Sequence, residues 1–266
     1  MKKYLYLILI CIFYTSVNDA KAQVDNRFRQ PHSRNQFEVL VYTSPDHWHN
    51  LTEPVAMLEF QDMAQRHAFG LTWTALNSRF NDEALAQFDV IVFLQSTVRD
   101  LSQEQLKSFK KFIRNGGGFV GIHGTSACRD EPEWFRKLVG RVFTGHPEEQ
   151  TAVLHVIHKN HPSTMHLPDK WIWTDELYSF GPELVDGLNY LVTADEATYD
   201  PDRTWGDDTR FTAMGDFHPL AWYHEFEGGR SFYTSFGHMP ALFRDKNFLD
   251  HIYGGIYWAA TGLGIY

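Results

Sequence analysis

The chain has 266 residues, 43% hydrophobic and 15% aromatic, and its 33 acidic against 24 basic side chains give a formal net charge of −9. No Lys/Arg-rich run occurs in it, which argues against nucleic acid or an anionic membrane surface as a partner. Cys11 and Cys128 are its two cysteines, too few for a disulfide-stapled scaffold, so a hydrophobic core of α/β size must hold the fold together.

Residues 1–22 read as a secretory signal peptide. Lys2 and Lys3 form a basic start, Tyr4 to Tyr14 an apolar stretch, and Ala20-Lys21-Ala22 a small-residue cleavage site before Gln23. The apolar stretch is too short and wrongly flanked for a membrane anchor. Cys11 lacks the small residues ahead of it that a lipoprotein anchor needs. The expectation is an exported, periplasmic protein. Losing Lys2, Lys3, Lys21 and Asp19 takes the net charge from −9 to −11 and leaves Cys128 as the single thiol.

Residues 23–36 are polar and aperiodic, a lead-in to one domain over 37–266. Phe37 to Tyr42 reads as a strand buried on both faces, from the run Val39-Leu40-Val41. It opens into the loop of residues 43–50. Glu53 to His67 has helical apolar spacing, Leu71 to Leu76 is a second strand, and Asn81 to Ala86 a short helix. Phe88 to Leu94 is the clearest buried strand. Ser102 caps a helix whose stripe is Leu106, Phe109, Phe112 and Ile113, ended by Asn115-Gly116. Phe119 to Ile122 is the fourth strand. This alternation predicts a parallel sheet with helices on both faces and right-handed crossovers. Further on, Ala152 to His158 and Leu188 to Val192 read as strands. Pro219 to Phe226 and Arg230 to Phe236 read as a hairpin turned at Glu227-Gly228-Gly229, and Phe248 to Ala260 as a closing helix.

The fourth strand ends at His123-Gly124. A strand that stops in a glycine-flanked polar residue is how α/β enzymes expose a reactive side chain at the carboxyl edge of a sheet. In the nucleophile-elbow form that residue is Ser or Cys. Histidine there is instead a proton carrier or a metal ligand, although a buried structural histidine gives the same local pattern. Fourteen histidines occur in the chain, and several fall at expected turns: His47 and His49 after the first strand, His146 in Gly145-His146-Pro147, His218 before Pro219, His224 near a strand end, and His238 after Gly237. Loops at the carboxyl ends of strands surround the crevice of an open α/β sheet. A carboxylate such as Glu176 with two or three imidazoles can bind a divalent metal such as zinc, or form a metal-free acid–base set. Neither His-Glu-x-x-His nor Cys-x-x-Cys is present. Gly116-Gly117-Gly118 has no Walker lysine, and the first strand has no Gly-x-Gly-x-x-Gly, so no nucleotide cofactor is expected. Cys128 lies five residues past the elbow, not on it.

Six stretches together carry a resemblance: Phe-Asp-Val-Ile-Val-Phe-Leu (88–94), Gly-Gly-Gly-Phe-Val-Gly-Ile-His-Gly (116–124), Leu-Val-Gly-x-x-Phe-x-Gly-His-Pro (138–147), Thr-Asp-Glu-Leu-Tyr-Ser-Phe (174–180), His-Pro-Leu-Ala-Trp-Tyr-His-Glu (218–225) and Phe-Tyr-Thr-Ser-Phe-Gly-His (232–238). Across nearly all of residues 37–262 the chain resembles the ThuA-like, trehalose-utilisation family. The resemblance implies a class I glutamine amidotransferase-like fold, with a flavodoxin-like parallel sheet. It places His123 where amidotransferases keep their nucleophilic cysteine, so glutamine amidotransfer is not expected. It also implies disaccharide utilisation, in functional partnership with a sugar oxidoreductase that makes keto-sugars. Carried over by position, the recurring polar residues are His49, His123, His146, Glu176, His218 and His238. Where relatives have an acidic residue after the serine that follows the elbow, this chain has Ala127 after Ser126.

The expected activity is acid–base chemistry on a disaccharide or keto-glycoside, of isomerase, lyase or hydrolase type. His123 and His238 are the expected proton donor and acceptor, with Glu176 orienting or sharing the proton. His49, His146 and His218 would bind the small-molecule sugar, with Trp173, Tyr178 and Trp222 as walls stacking on its rings. Two alternatives stay open on the residues. One is a non-catalytic carbohydrate-binding protein on an amidotransferase-like scaffold, the other a metal-dependent glycoside hydrolase.

Overall fold

A computed structural model describes residues 35–44, 49–203 and 213–264. The expected leader, residues 23–34 of the lead-in, and His47 fall outside the described residues. Buried runs set the first half. Strands β1 (Glu38–Tyr42), β3 (Val90–Leu94) and β4 (Gly118–Ile122) are buried along almost their whole length, as strands covered on both faces must be. Between them lie α1 (Thr52–Arg66), β2 (Gly70–Thr74), α2 (Asp82–Leu85) and α3 (Gln103–Arg114). Helix α1 buries Ala56, Phe60 and Met63, one face at helical spacing. Helix α3 starts in a capping box, where Ser102 Oγ accepts the Gln105 N–H and Gln105 Oε1 accepts the Ser102 N–H.

The second half supplies α4 (Glu133–Val139), β5 (Phe143–Gly145), β6 (Gln150–Val156), β7 (Lys170–Asp175), β8 (Ser179–Phe180), β9 (Asn189–Ala194), β10 (His218–Phe226), β11 (Gly229–Thr234) and α5 (Lys246–Thr261). Nine strands form one sheet in the order β2-β1-β3-β4-β11-β10-β9-β6-β7, and β5 pairs β8 apart from it. Strands β2, β1, β3, β4 and β11 are parallel; β10, β9, β6 and β7 continue antiparallel. The sheet is therefore mixed: the parallel part expected from the first half is present, and the expected hairpin opens an antiparallel second half. The cause is a two-residue hairpin. Glu227 (φ 49°) and Gly228 (φ 94°) both lie left-handed between the paired residues Phe226 and Gly229, the turn that folds a strand directly back on its neighbour.

Helices cover both faces of the central strands. Phe93 and Phe119 meet Phe109 of α3 and Phe135 of α4. The neighbouring Gly118 points to the opposite face, where an added Cβ would lie 2.3 Å from the Ala259 carbonyl oxygen of α5. No described helix is long and apolar enough to cross a membrane.

Candidate functional site

Strand direction gathers the chemistry at one edge. Strands β1, β3, β4 and β11 run the same way, and four further antiparallel steps bring β7 back to that direction. Register then places the residues. Ile122 pairs with Leu94 and with Thr234, so Gln95, His123 and Ser235 leave their strands side by side. Gln150 pairs with Asp175, which sets Glu149 opposite Glu176. Residues far apart in sequence thus share one rim.

At the end of β4, His123 takes a left-handed backbone with φ 50°, a conformation rare outside glycine and costing about 1–3 kcal/mol unless its surroundings fix it. Here they do. The Tyr233 hydroxyl donates to the His123 carbonyl at 2.8 Å, and Thr125 Oγ1 donates to the Phe93 carbonyl at 2.9 Å. The neighbouring strand end repeats the strain at Gln95 (φ 50°), whose side-chain amide donates to the Gly237 carbonyl at 2.6 Å.

The ring of His123 is fully buried. Its Nδ1 donates to the Ser235 carbonyl at 2.7 Å, so Nε2 faces the rim. There Nε2 lies 2.8 Å from the Tyr178 hydroxyl, 3.4 Å from Glu176 Oε2 and 3.3 Å from His238 Nδ1. Glu176 Oε2 is 3.3 Å from His238 Nδ1, and its Oε1 is 3.5 Å from His146 Nε2. The His49 ring stands edge-on to both His123 and His238, with centroids 5.2 and 5.4 Å away. His49, His123 and His238 can each offer a nitrogen within 4.8 Å of the others, as can Glu149, Glu176 and His238 with their own donor atoms.

Burial and charge compete in this cluster. Burial disfavours a charged His123 ring, but the hydrogen bond and charge of Glu176, then the Asp175 charge and the Ser235 carbonyl, outweigh it and the pKa moves up. Burial pushes Glu176 up, yet His123, His146 and His238 hold its carboxyl well below the usual range. His238 is lowered to about 4, chiefly by burial. Cys128 is buried and its thiol is pushed up to about 12 by burial and by Glu131, so it is no nucleophile at neutral pH.

The structure separates the expected site residues into those that meet and those that stand behind. His49, His123, His146, Glu176, Tyr178 and His238 come together. His218 does not reach the rim: its Nε2 donates to the Tyr178 carbonyl at 2.8 Å, and its Nδ1 lies by Tyr199 and Glu196, so it anchors Tyr178 from the rear. The expected stacking walls need correction. Trp173, Tyr178 and Trp222 are only 4%, 3% and 0% exposed. Trp222 packs on Tyr233 and donates to the Val139 carbonyl; Trp173 lies among Trp171, Phe236 and Phe248. Tyr178, tight against Phe143 and His123, offers its hydroxyl rather than a ring face. Apolar area drew the two indoles into the core.

Sequence reading gave Asp175 no role. This buried carboxylate accepts N–H groups from Gly237 (2.8 Å), Glu176 (3.0 Å) and His238 (3.3 Å), and Nε1–H of Trp173 (3.1 Å). Burial pushes it up to about 6 against those hydrogen bonds and the charge of His123. The available signal was the alternation Trp171, Trp173, Asp175, which puts an acid on an inward face of β7. His161, His224 and His251 are core histidines away from the cluster. A shallow depression beside His49 is lined by Ser44, Gln95, Thr97, Arg99 and Ala127. A roomier one between Asp82, Lys111, Phe112 and Gly117 lies at the opposite, amino-terminal edge and holds no histidine.

The family described as trehalose utilisation, ThuA, matches residues 38–259. A ThuA-like protein of Bacteroides uniformis ATCC 8492 superimposes with a TM-score of 0.72 at 21% identity, over 86% of this chain and 93% of that one. A second, from Parabacteroides merdae ATCC 43184, gives 0.67 at 20% identity, over 86% and 92%. A GMP synthase component from Thermoplasma acidophilum gives 0.53 at 13% identity, over 87% and 96%, a likeness of fold alone. Among curated proteins no relative matches.

Proposed function

The chain belongs to the trehalose-utilisation family, ThuA, which ties it to carbohydrate use, and from that premise we propose that it is an exported enzyme acting on a keto-disaccharide by proton transfer. The observation that carries this reading is the convergence of Tyr178 Oη, Glu176 Oε2 and His238 Nδ1 on His123 Nε2, all within 2.8–3.4 Å. The leader-like residues 1–22 support export.

A keto-sugar carries an acidic C–H beside its carbonyl. When that bond breaks, its electron pair becomes the C=C of an enolate and charge moves to the carbonyl oxygen. In this reading Tyr178 and His123 hydrogen-bond that oxygen, and Glu176 with His238 takes the proton. If the next carbon bears the glycosidic oxygen, the enolate expels it. The carbonyl reforms, the proton first removed passes to the leaving oxygen, and an enone and the second sugar result. Positioned acid–base groups contribute about 10²–10⁴ each in rate. The substrate's carbonyl must come from oxidation of a sugar hydroxyl, the work of a sugar oxidoreductase acting beforehand. A purely carbohydrate-binding role would call for exposed aromatic faces, and the burial of Trp173, Tyr178 and Trp222 argues for the enzymatic reading.

The test is to incubate the purified protein with trehalose, other disaccharides and their 3-keto derivatives, with His123→Ala as control. The expected result is consumption of a keto-disaccharide by the native protein only. No product from any keto-disaccharide, or equal turnover by the variant, overturns the reading.

A further inference from the structure

We propose that His49, His123, His238 and Glu176 form a binding site for one divalent transition-metal ion of the zinc class. This deepens the reading above, resting on it for the reaction but not for the site itself.

Geometry comes first. His123 Nε2, His238 Nδ1 and Glu176 Oε2 form a triangle with sides of 3.3, 3.3 and 3.4 Å. Donors bound at about 2.0–2.1 Å to a tetrahedral ion stand about 3.3–3.4 Å apart. A ring nitrogen of His49 lies within 4.8 Å of ring nitrogens of His123 and His238, which puts a third imidazole beside the triangle.

The outer contacts point the same way. A ligating histidine characteristically donates its second ring N–H to a carbonyl or carboxylate, which fixes the tautomer and leaves the other nitrogen's lone pair for the metal. His123 does so through Nδ1 to Ser235 at 2.7 Å. His238 has Glu149 Oε1 at 3.5 Å from Nε2, with Nδ1 turned inward. With the ring neutral in that tautomer, Nε2 and Glu176 Oε2 are two acceptors aimed at one point, where a metal cation can replace the proton that otherwise joins them. Asp175 braces both liganding segments through the N–H groups of Glu176, Gly237 and His238, while Thr52 Oγ1 donates to the His238 carbonyl at 2.9 Å.

Three imidazoles and one carboxylate suit Zn²⁺, Co²⁺, Fe²⁺ or Mn²⁺ rather than Mg²⁺ or Ca²⁺, which favour oxygen donors. A bound ion would act as a Lewis acid toward a sugar carbonyl oxygen, taking over the hydrogen bond given above to His123 and occupying His238 Nδ1 and Glu176 Oε2. With the ion bound, proton transfer would pass to Tyr178 and to the pair of Glu176 Oε1 and His146 Nε2, which stand 3.5 Å apart.

The experiment strips the purified protein with a chelator and titrates it with Zn²⁺ by calorimetry and with Co²⁺ by visible absorption. The expected result is one equivalent bound, with a Co²⁺ spectrum of low-coordinate nitrogen and oxygen ligation. His49→Ala, His123→Ala and His238→Ala should each weaken binding about a hundredfold or more, and Glu149→Gln about ten- to a hundredfold. The surface variant His155→Ala should leave it unchanged. If His123→Ala fails to fold, His238→Gln and Glu149→Gln, both off the strained elbow, read the same effect. Absence of stoichiometric binding, or binding indifferent to His49 and His238, overturns the site. Stoichiometric, histidine-dependent binding without sugar turnover keeps the site and removes the keto-sugar reading. Turnover by protein that binds no metal does the reverse.

Discussion

Nδ1 of His123 lies 2.7 Å from the main-chain carbonyl of Ser235, a contact fixed because β4 and β11 are parallel neighbours that end in register. One strand pairing therefore decides which nitrogen of a buried imidazole is available at the rim. The same pairing brings His238, three residues past Ser235, to that nitrogen.

Tyr178 presents a hydroxyl, and Tyr178→Phe removes it while keeping the packing on Phe143 and His123. The expected outcome is a fall in kcat of about tenfold to a hundredfold with little change in KM, and a stability change within about 1 kcal/mol. Steady-state kinetics on a keto-disaccharide and urea unfolding check both. A large rise in KM with kcat unchanged would make the tyrosine a binding group only.

Asp175 accepts four hydrogen bonds with no exposed surface. In Asp175→Asn one end becomes a donor and must face N–H groups. Urea unfolding should show a loss of about 2–4 kcal/mol, and turnover should fall because His238 and Glu176 lose their brace. A variant as stable as the native protein would contradict this.

Acid should weaken the fold through its core histidines. His161 and His251 are both lowered to about 3, mainly by burial. Their folded values lie below the unfolded value near 6.5, so below pH 6.5 the unfolded chain binds more protons. Their contribution is full above pH 6.5 and drains as pH falls toward about 3, at about 1.4 kcal/mol per pH unit for each histidine. His161 stacks on Tyr223 and Phe232, so His161→Phe keeps the ring contacts and should flatten the slope of stability between pH 6 and 4. An unchanged slope would remove this histidine from the account.

Gly118 admits α5 to the sheet. An added Cβ meets the Ala259 carbonyl carbon at 2.6 Å as well as its oxygen, and backbone cannot swing aside as a side-chain tip can. Gly118→Ala should cost about 1–3 kcal/mol by overpacking, read as a lowered Tm. An undisturbed Tm would mean that α5 moves freely.

What the sequence revealed depended on how local the governing physics was. Val39 to Val41 and Val90 to Leu94 declare buried strands outright, and Ser102 with Gln105 declares a helix start. The antiparallel half was harder, because β7 interleaves Trp171 and Trp173 with Lys170, Ile172 and Thr174, and alternation ending in an inward acid does not read as a strand. His49, His123, His146, Glu176 and His238 lie far apart along the chain; strand direction puts His49 and His123 at the carboxyl edge, but only register brings all five to one rim. Trp173 and Trp222 read equally well as sugar platforms or core, and apolar burial decided for the core. Asp175 stayed hidden behind its neighbour Glu176 because its work is done on main-chain N–H groups that no sequence pattern displays.

Running the reaction on a keto-disaccharide deuterated at the carbon between the carbonyl and the glycosidic carbon tests the central claim most directly. The account predicts an enone that has lost that deuterium, read by mass spectrometry and NMR, formed by the native protein and not by His123→Ala. Product that keeps the deuterium, or equal turnover by the variant, would contradict it.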